Sequence, residues 1–174
     1  MSDEIREGLD ELFDYKNQLM NDLLTNENIV RLLSEDGTTI AEPESLMYSQ
    51  VFPYEYMPDV VEHGKTFITT EVDIDSIDGK TFLNPSIYLW VFTHKSLLRL
   101  PADGVRVDRL CSEIVEQVNG SRMYGLGELN IKSARRFAPG NSYQGRVLRF
   151  AAKDFNRLHS ASKSPTSNRK GDAS

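Results

Sequence analysis

An imidazole, an ammonium and two hydroxyls fall within four residues at Thr93-His94-Lys95-Ser96, the groups needed for proton transfer beside a scissile bond. Such chemistry needs partners, either carboxylates that hold a metal ion or a second base within reach. The chain supplies few. Its histidines, His63, His94 and His159, stand at no metal-ligand spacing. The single cysteine, Cys111, falls inside an apolar helical stripe and reads as a small buried hydrophobe. Glu71 and Asp73 alternate onto one strand face, the pattern of a solvated sheet rather than of an acid/base pair. Gly125-Leu126-Gly127 opens like a phosphate loop but lacks the third glycine and the Lys-Ser/Thr that would complete it. The expectation is a protein that is no enzyme, with no catalytic residue, no metal and no cofactor.

Composition narrows the class. With 174 residues, 39% hydrophobic and 26% charged, the chain suits one domain with a core of its own. It holds no apolar run of about 18 residues, so no membrane is expected, and the start MSDEIREGLDE is the reverse of a signal peptide. One cysteine excludes an internal disulfide framework, which points to folding in a reducing cytoplasm. A net charge of −6 and a pI near 5.1 argue against general adhesion to nucleic acid.

The elements that must position these residues follow from periodicity. Ile5, Leu9, Leu12, Phe13, Leu19, Met20, Leu23 and Leu24 form one stripe of a long helix. A short helix carries Ile29, Val30, Leu32 and Leu33, capped by Asn26 or Thr25 and stopped by Gly37. Pro53 and Pro58 keep the next stretch, with Tyr48, Phe52, Tyr54 and Tyr56, out of any long helix, so residues 38–65 read as an aromatic loop or arm. From residue 66 the period becomes two, giving a strand, an Asp-Gly turn, and a strand Ile87–Phe92 rich enough in β-branched and aromatic residues to be covered on both faces. Val107, Leu110, Cys111, Ile114, Val115 and Val118 then make a helix ended by Asn119-Gly120, and a second antiparallel hairpin closes the order around the turn APGNS. Trp90 and Leu110 are assigned to the core between strand and helix. The fold class is α+β: an antiparallel sheet of about four strands, an N-terminal helical segment, and one helix packed across the sheet. Residues 1–156 form the single domain, divided as 1–36, 38–65 and 66–156, and 157–174 read as a disordered polar tail.

Two resemblances bear on function. Thr-His-Lys-Ser is similar to a helical run in ribonuclease III nucleases, which would imply a nucleic-acid enzyme. That family's acidic magnesium-binding run, Glu-x-x-Glu-Phe-Leu-Gly-Asp, is missing downstream of Ser96, and here the run ends a strand. The order and spacing of DYKNQLMNDLLTNENIVRLL, FPYEYMPD, TFITTEVDI, IYLWVFTHKSLLR, GVRVDRLCSEIVEQVNG and YQGRVLRFAAKDFN resemble, over residues 10–156, the neck proteins of long-tailed bacteriophages, above all the tail terminator or completion group. Adaptor and stopper proteins of the neck stay open as alternatives. The resemblance implies a virion structural protein made in the host cytoplasm. It forms a ring with copies of itself, commonly a hexamer, which closes the tail tube, meets the tube protein and a head-completion or stopper protein, and lets DNA pass without tight binding.

On that basis Phe52, Tyr54 and Tyr56 become candidate interface residues, with folding of the arm over its own sheet as the competing reading. Arg135, Arg136, Arg146 and Arg149 would pair with acids of the next subunit. Glu71, Asp73, Asp75 and Asp78 would line the channel. Those arginines, with the Thr-His-Lys-Ser run, equally support a cytoplasmic nucleic-acid-binding protein or nuclease.

Overall fold

The computed structural model describes the backbone of residues 3–59, 64–78, 82–101, 104–124, 127–152 and 154–155, and the side chains of all of these except 3–13, 76–78, 82–83 and 154–155. The Asp-Gly turn, His63, His159 and the tail 157–174 lie outside the described residues.

The fold is α+β. Helix α1 spans Asp3–Thr25 and α2 spans Glu27–Leu33. Asn26 separates them as expected, its side-chain oxygen accepting from Asn28 N at 3.0 Å and Ile29 N at 3.3 Å, so two N–H groups without helical partners are satisfied. A 3-10 turn at Pro43–Leu46 leads to β1, Val51–Phe52, followed by β2 (Thr66–Asp78), β3 (Phe82–His94), helix α3 (Arg106–Val118), β4 (Asn130–Phe137), β5 (Tyr143–Ala151) and β6 (Asp154–Phe155). The sheet order is β1-β2-β3-β5-β4, with β6 pairing on β3.

Two features depart from the expected sheet. Among the described residues it has six strands, not about four, and it is mixed, because β1 runs parallel to β2 with Val51 opposite Ile68 and Phe52 opposite Thr69. The arm supplies that strand. Two residues too short to show a period in sequence gain strand geometry only from the pairing.

Alternation along β2, β3 and β5 divides the core in two. On one face Ile68, Val72, Ile87, Leu89, Val91, Leu148 and Phe150 pack against Leu19, Met20, Leu23 and Leu24 of α1, Ile29, Val30 and Leu33 of α2, and Val107, Leu110, Cys111, Ile114 and Val118 of α3. On the other face Phe52, Phe67, Phe92 and Tyr143 form a smaller aromatic cluster with Tyr56, Trp90 and Phe137 at its margin. Trp90 therefore does not belong to the strand–helix core. It stands opposite Thr69 and Val147 on the face without helices and is half-buried. Gly145 lies opposite both Phe92 and Phe137. The two rings meet edge to face at 5.8 Å, and a Cβ on Gly145 would come within 2.2 Å of Val91 O.

The helical layer is joined to the sheet by Arg106, which is 3% exposed. Its guanidinium donates to Leu32 O at 2.6 Å, Ser34 O at 2.7 Å and Glu35 O at 3.2 Å, at the end of α2, and to Leu97 O at 3.0 Å, after β3. Burial lowers its pKa from the usual value, and the carbonyl oxygens at a helix C-terminus are suited to hold the cation there.

Leu110→Ala should cost about 2–5 kcal/mol, because Leu110 is fully buried in the sheet–helix core, and Trp90→Ala should cost less, because Trp90 is only partly buried. Arg106→Ala should cost about 3–5 kcal/mol by leaving buried carbonyl oxygens without donors. Midpoints of guanidinium unfolding check all three.

Candidate functional site

Thr93, His94 and Ser96 are engaged in local hydrogen bonds. His94 ends β3 and caps the 3-10 turn Lys95–Leu97: its Nδ1 accepts from Ser96 N at 3.2 Å and lies 2.7 Å from Ser96 Oγ. The ring is 8% exposed and meets Tyr143 edge-on at 5.7 Å. Thr93 is bound through its hydroxyl to Thr66 Oγ1 at 2.7 Å, across the strand pair. Cys111 is buried in the helical stripe, and burial pushes its thiol up to about 12, far from a nucleophilic thiolate.

A more distinctive surface is built on the aromatic arm. Phe52 is 4% exposed and stacks on Tyr56 with centroids 3.9 Å apart and planes 16° apart. Phe67 lies 6.5 Å from Phe52 and 5.8 Å from Tyr56, and Phe92 continues the series 5.2 Å from Phe67. Thus the arm folds over its own sheet at Phe52 and Tyr56. Phe52, expected at an interface, is buried within its own chain, because its strand pairing with β2 turns the ring onto Phe67.

Above that base the rings emerge. Tyr54 is 43% exposed and leans edge-on to Phe52 at 5.5 Å, and Tyr48, 61% exposed, stacks on Tyr54 at 6.4 Å. Tyr48 holds a left-handed backbone with φ 60°, secured by its N–H donating to Val51 O at 2.8 Å. A bulky residue in that conformation is strained, and strain of this kind is maintained by the surrounding structure. Met57, also exposed, extends the patch. Tyr48 and Met57 were missed among the site residues. The signal for Tyr48 is positional, an aromatic directly before the Ser-Gln turn into β1, and only the backbone reveals it.

The charged candidates separate by strand face. Arg146 sits on the helix side of β5, where its Nε meets Asp108 Oδ1 of α3 at 2.6 Å. Arg149 is on the other face, over the Tyr88 ring at 5.8 Å, and is ion-paired with Asp75. A register shift between Ile74 and Ser76 accompanies this placement of Asp75, where Ser86 Oγ donates to it at 2.6 Å. The Ser86 hydroxyl foremost, and then Arg149, lowers the Asp75 carboxyl below its usual value. Arg146 and Arg149, expected to pair with acids of the next subunit, each hold an acid of their own chain here. Arg135 and Arg136 are exposed on β4 and form no ion pair among the described residues.

Of the acids expected to line a channel, Glu71 bonds Lys16 Nζ of α1 at 2.8 Å and Asp75 is taken by Arg149, so both are neutralised in place. Asp73 is exposed. The Asp78 side chain lies outside the described residues. Among the described residues no group of three His, Cys, Asp or Glu side chains could hold a metal ion, and no helix is long and apolar enough to cross a membrane.

Residues 26–152 match the family model described as YomW. That segment begins at the Asn26 cap and runs through β5, leaving α1 outside it. No curated protein and no solved structure matches.

The two tiers of the arm separate by stability. Phe52→Ala should lower the melting temperature markedly, at about 3–5 kcal/mol, whereas Tyr54→Ala should leave melting within about 0.5 kcal/mol of the parent. Thermal unfolding of both variants checks this.

Proposed function

The chain belongs to the YomW family, a phage-associated family, and on that premise we propose that it is a virion structural protein, a subunit of a ring in the phage neck that ends the tail tube and joins it to the head. Its partners are further copies of itself, the tube protein and a head-completion or stopper protein. Assembly takes place in the host cytoplasm, and duplex DNA passes without being held.

The observation that carries this reading is the supported aromatic patch. Tyr48 and Tyr54 present large rings to solvent while Phe52, Tyr56 and Phe67 hold them from below. Rings fixed in place before contact lose little entropy on binding, which is what an assembly surface requires. The groups that first suggested catalysis are occupied elsewhere: His94 caps a turn and Thr93 bonds Thr66. The protein is not an enzyme on this reading. The net charge of −6, repeated around a ring, disfavours tight attachment of a polyanion.

The second reading, a nucleic-acid-binding protein or nuclease, is favoured by one observation, the exposed Arg135 and Arg136 on an outer strand.

Tail tubes incubated with the chain should show a ring at one end in negative-stain images, and light scattering should give a ring-sized mass in free solution or on addition of tubes. Tyr48→Ala combined with Tyr54→Ala should keep the fold and abolish joining of tails to heads. Unchanged joining removes the arm from the interface. Magnesium-dependent cleavage of duplex RNA by the parent, lost in His94→Ala, would overturn the structural role.

A further inference from the structure

Charge in this chain is sorted by position. Residues 1–78 hold 19 acidic and 4 basic side chains, a formal net of −15, whereas residues 79–155 hold 6 acidic and 12 basic, a net of +6. The sheet order converts that sequence asymmetry into a spatial one: β1 and β2 stand on one side of the central β3, with α1 against β2, while β5 and β4 stand on the other.

The two sides end differently. On the acidic side the outward N–H groups of β2 have the parity of Ile68, whose N–H donates to Gln50 O beside β1. Val72 shares that parity, and its N–H is taken at 3.0 Å by Glu71 Oε1, the same oxygen that Lys16 Nζ reaches. At Val72 this edge is therefore capped against strand addition. It displays carboxylates instead, since Asp14 and Asp73, two residues from Lys16 and Glu71 respectively, are exposed and form no ion pair among the described residues.

On the basic side β4 is the outermost strand: the N–H of Ile131 is taken by Asn119 Oδ1 at 2.8 Å, and from Ser133 to Phe137 the outer main-chain edge has no strand neighbour among the described residues. From Leu129 to Ala152 the chain contains no acid. Lys132, Arg135 and Arg136 are all exposed on β4, with no ion pair among the described residues, while Arg146 and Arg149 are already engaged.

We infer that copies of this chain associate head to tail, with the basic β4 edge of one seated against the acid-bearing α1–β2 side of the next. The occupant of the β4 edge is thus a second copy of this chain. The argument is complementarity: one molecule carries both an open cationic strand edge and, across the same sheet, an anionic side of larger opposite charge. Contacts between unlike surfaces close into rings or run on as filaments, whereas like-to-like contacts would pair cation with cation here. The inference rests on the ring reading and supplies its contact surfaces. Asp73, expected from the sequence on a channel wall, faces the neighbour in this arrangement.

A charge exchange tests it on the full chain. One variant carries Arg135→Glu and Arg136→Glu, the other Asp14→Lys and Asp73→Lys; all four positions are exposed, and circular dichroism verifies that each variant melts like the parent. Light scattering at low salt should find the parent assembled and each variant alone at least tenfold weaker in self-association. An equimolar mixture should recover assembly, because each altered edge meets its complement in an alternating order, and raising the salt should dissociate parent and mixture alike. Assembly of either variant alone at the parent's level, or a mixture that stays monomeric, overturns the inference. So does duplex DNA binding by the parent that the arginine reversal abolishes, which would assign the β4 edge to nucleic acid. A parent that assembles with this charge pattern yet joins no tails leaves the head-to-tail contact standing and removes the neck role.

Discussion

A guanidinium buried with no carboxylate partner among the described residues is the constraint on which the helical layer depends. Arg106 takes its counter-charge from main-chain oxygens of two segments far apart in sequence, the end of α2 and the turn that leaves β3. Its own N–H donates to Leu98 O at 2.8 Å, so main chain and side chain of one residue clamp the same turn. Leu32, Ser34 and Glu35 present their carbonyls where α2 has run out of helical partners. If α2 were displaced by one turn, the cation would be left desolvated and unpaired, and a buried charge in that state costs more than any single apolar contact in the core. Registration of α2 on α3, and of both on the sheet, is thereby set by polar geometry on top of apolar packing.

Polar links of the same kind recur at the other end of the helical layer. Gln117 Nε2 donates to Asp22 O at 2.9 Å and Asp22 Oδ2 at 2.8 Å, Asn26 Nδ2 donates to Gln117 Oε1 at 3.1 Å, and the Tyr124 hydroxyl donates to Asp22 Oδ2 at 2.6 Å. Burial, with Asp22 beside it, raises the pKa of that phenol above its ordinary value. Gln50 Nε2, shared between Leu33 O and Thr66 O at 2.9 and 2.8 Å, extends the bracing to the entry of β2. Each helix is thus held at more than one point, and the sheet face opposite the helices is left free to carry the arm.

The apolar framework was readable from periodicity because burial repeats with the backbone. Val107, Leu110, Cys111, Ile114 and Val118 are all buried as the α3 stripe requires, and the long hairpin and its successor fall where the period of two places them. Arg106 was not readable by that means, since an arginine is ordinarily assigned to solvent. A trace of it exists nonetheless: it is a cation in the first turn of a helix whose N-cap, Val105, offers no side-chain acceptor, a place where the helix dipole disfavours positive charge. The candidate surface was half legible. Aromatic content marked the arm, but Phe52, Tyr54 and Tyr56 share one parity in sequence, and only pairing with β2 sends the first into the core while the second stays outside. The arginines of β4 and β5 looked equivalent as a string of residues. What separates them is face and edge, a property of the folded sheet.

Tyr48 sets two demands at one position. Its backbone at φ 60° is comfortable for glycine or asparagine and excludes a β-branched residue, while its ring supplies the outermost member of the exposed stack. Glycine there would relax the turn and erase the ring; phenylalanine would keep the ring and the strain together. Conformational ease and surface display therefore draw this site toward different amino acids, so the variants it can accept are sorted by which of the two the molecule has to keep.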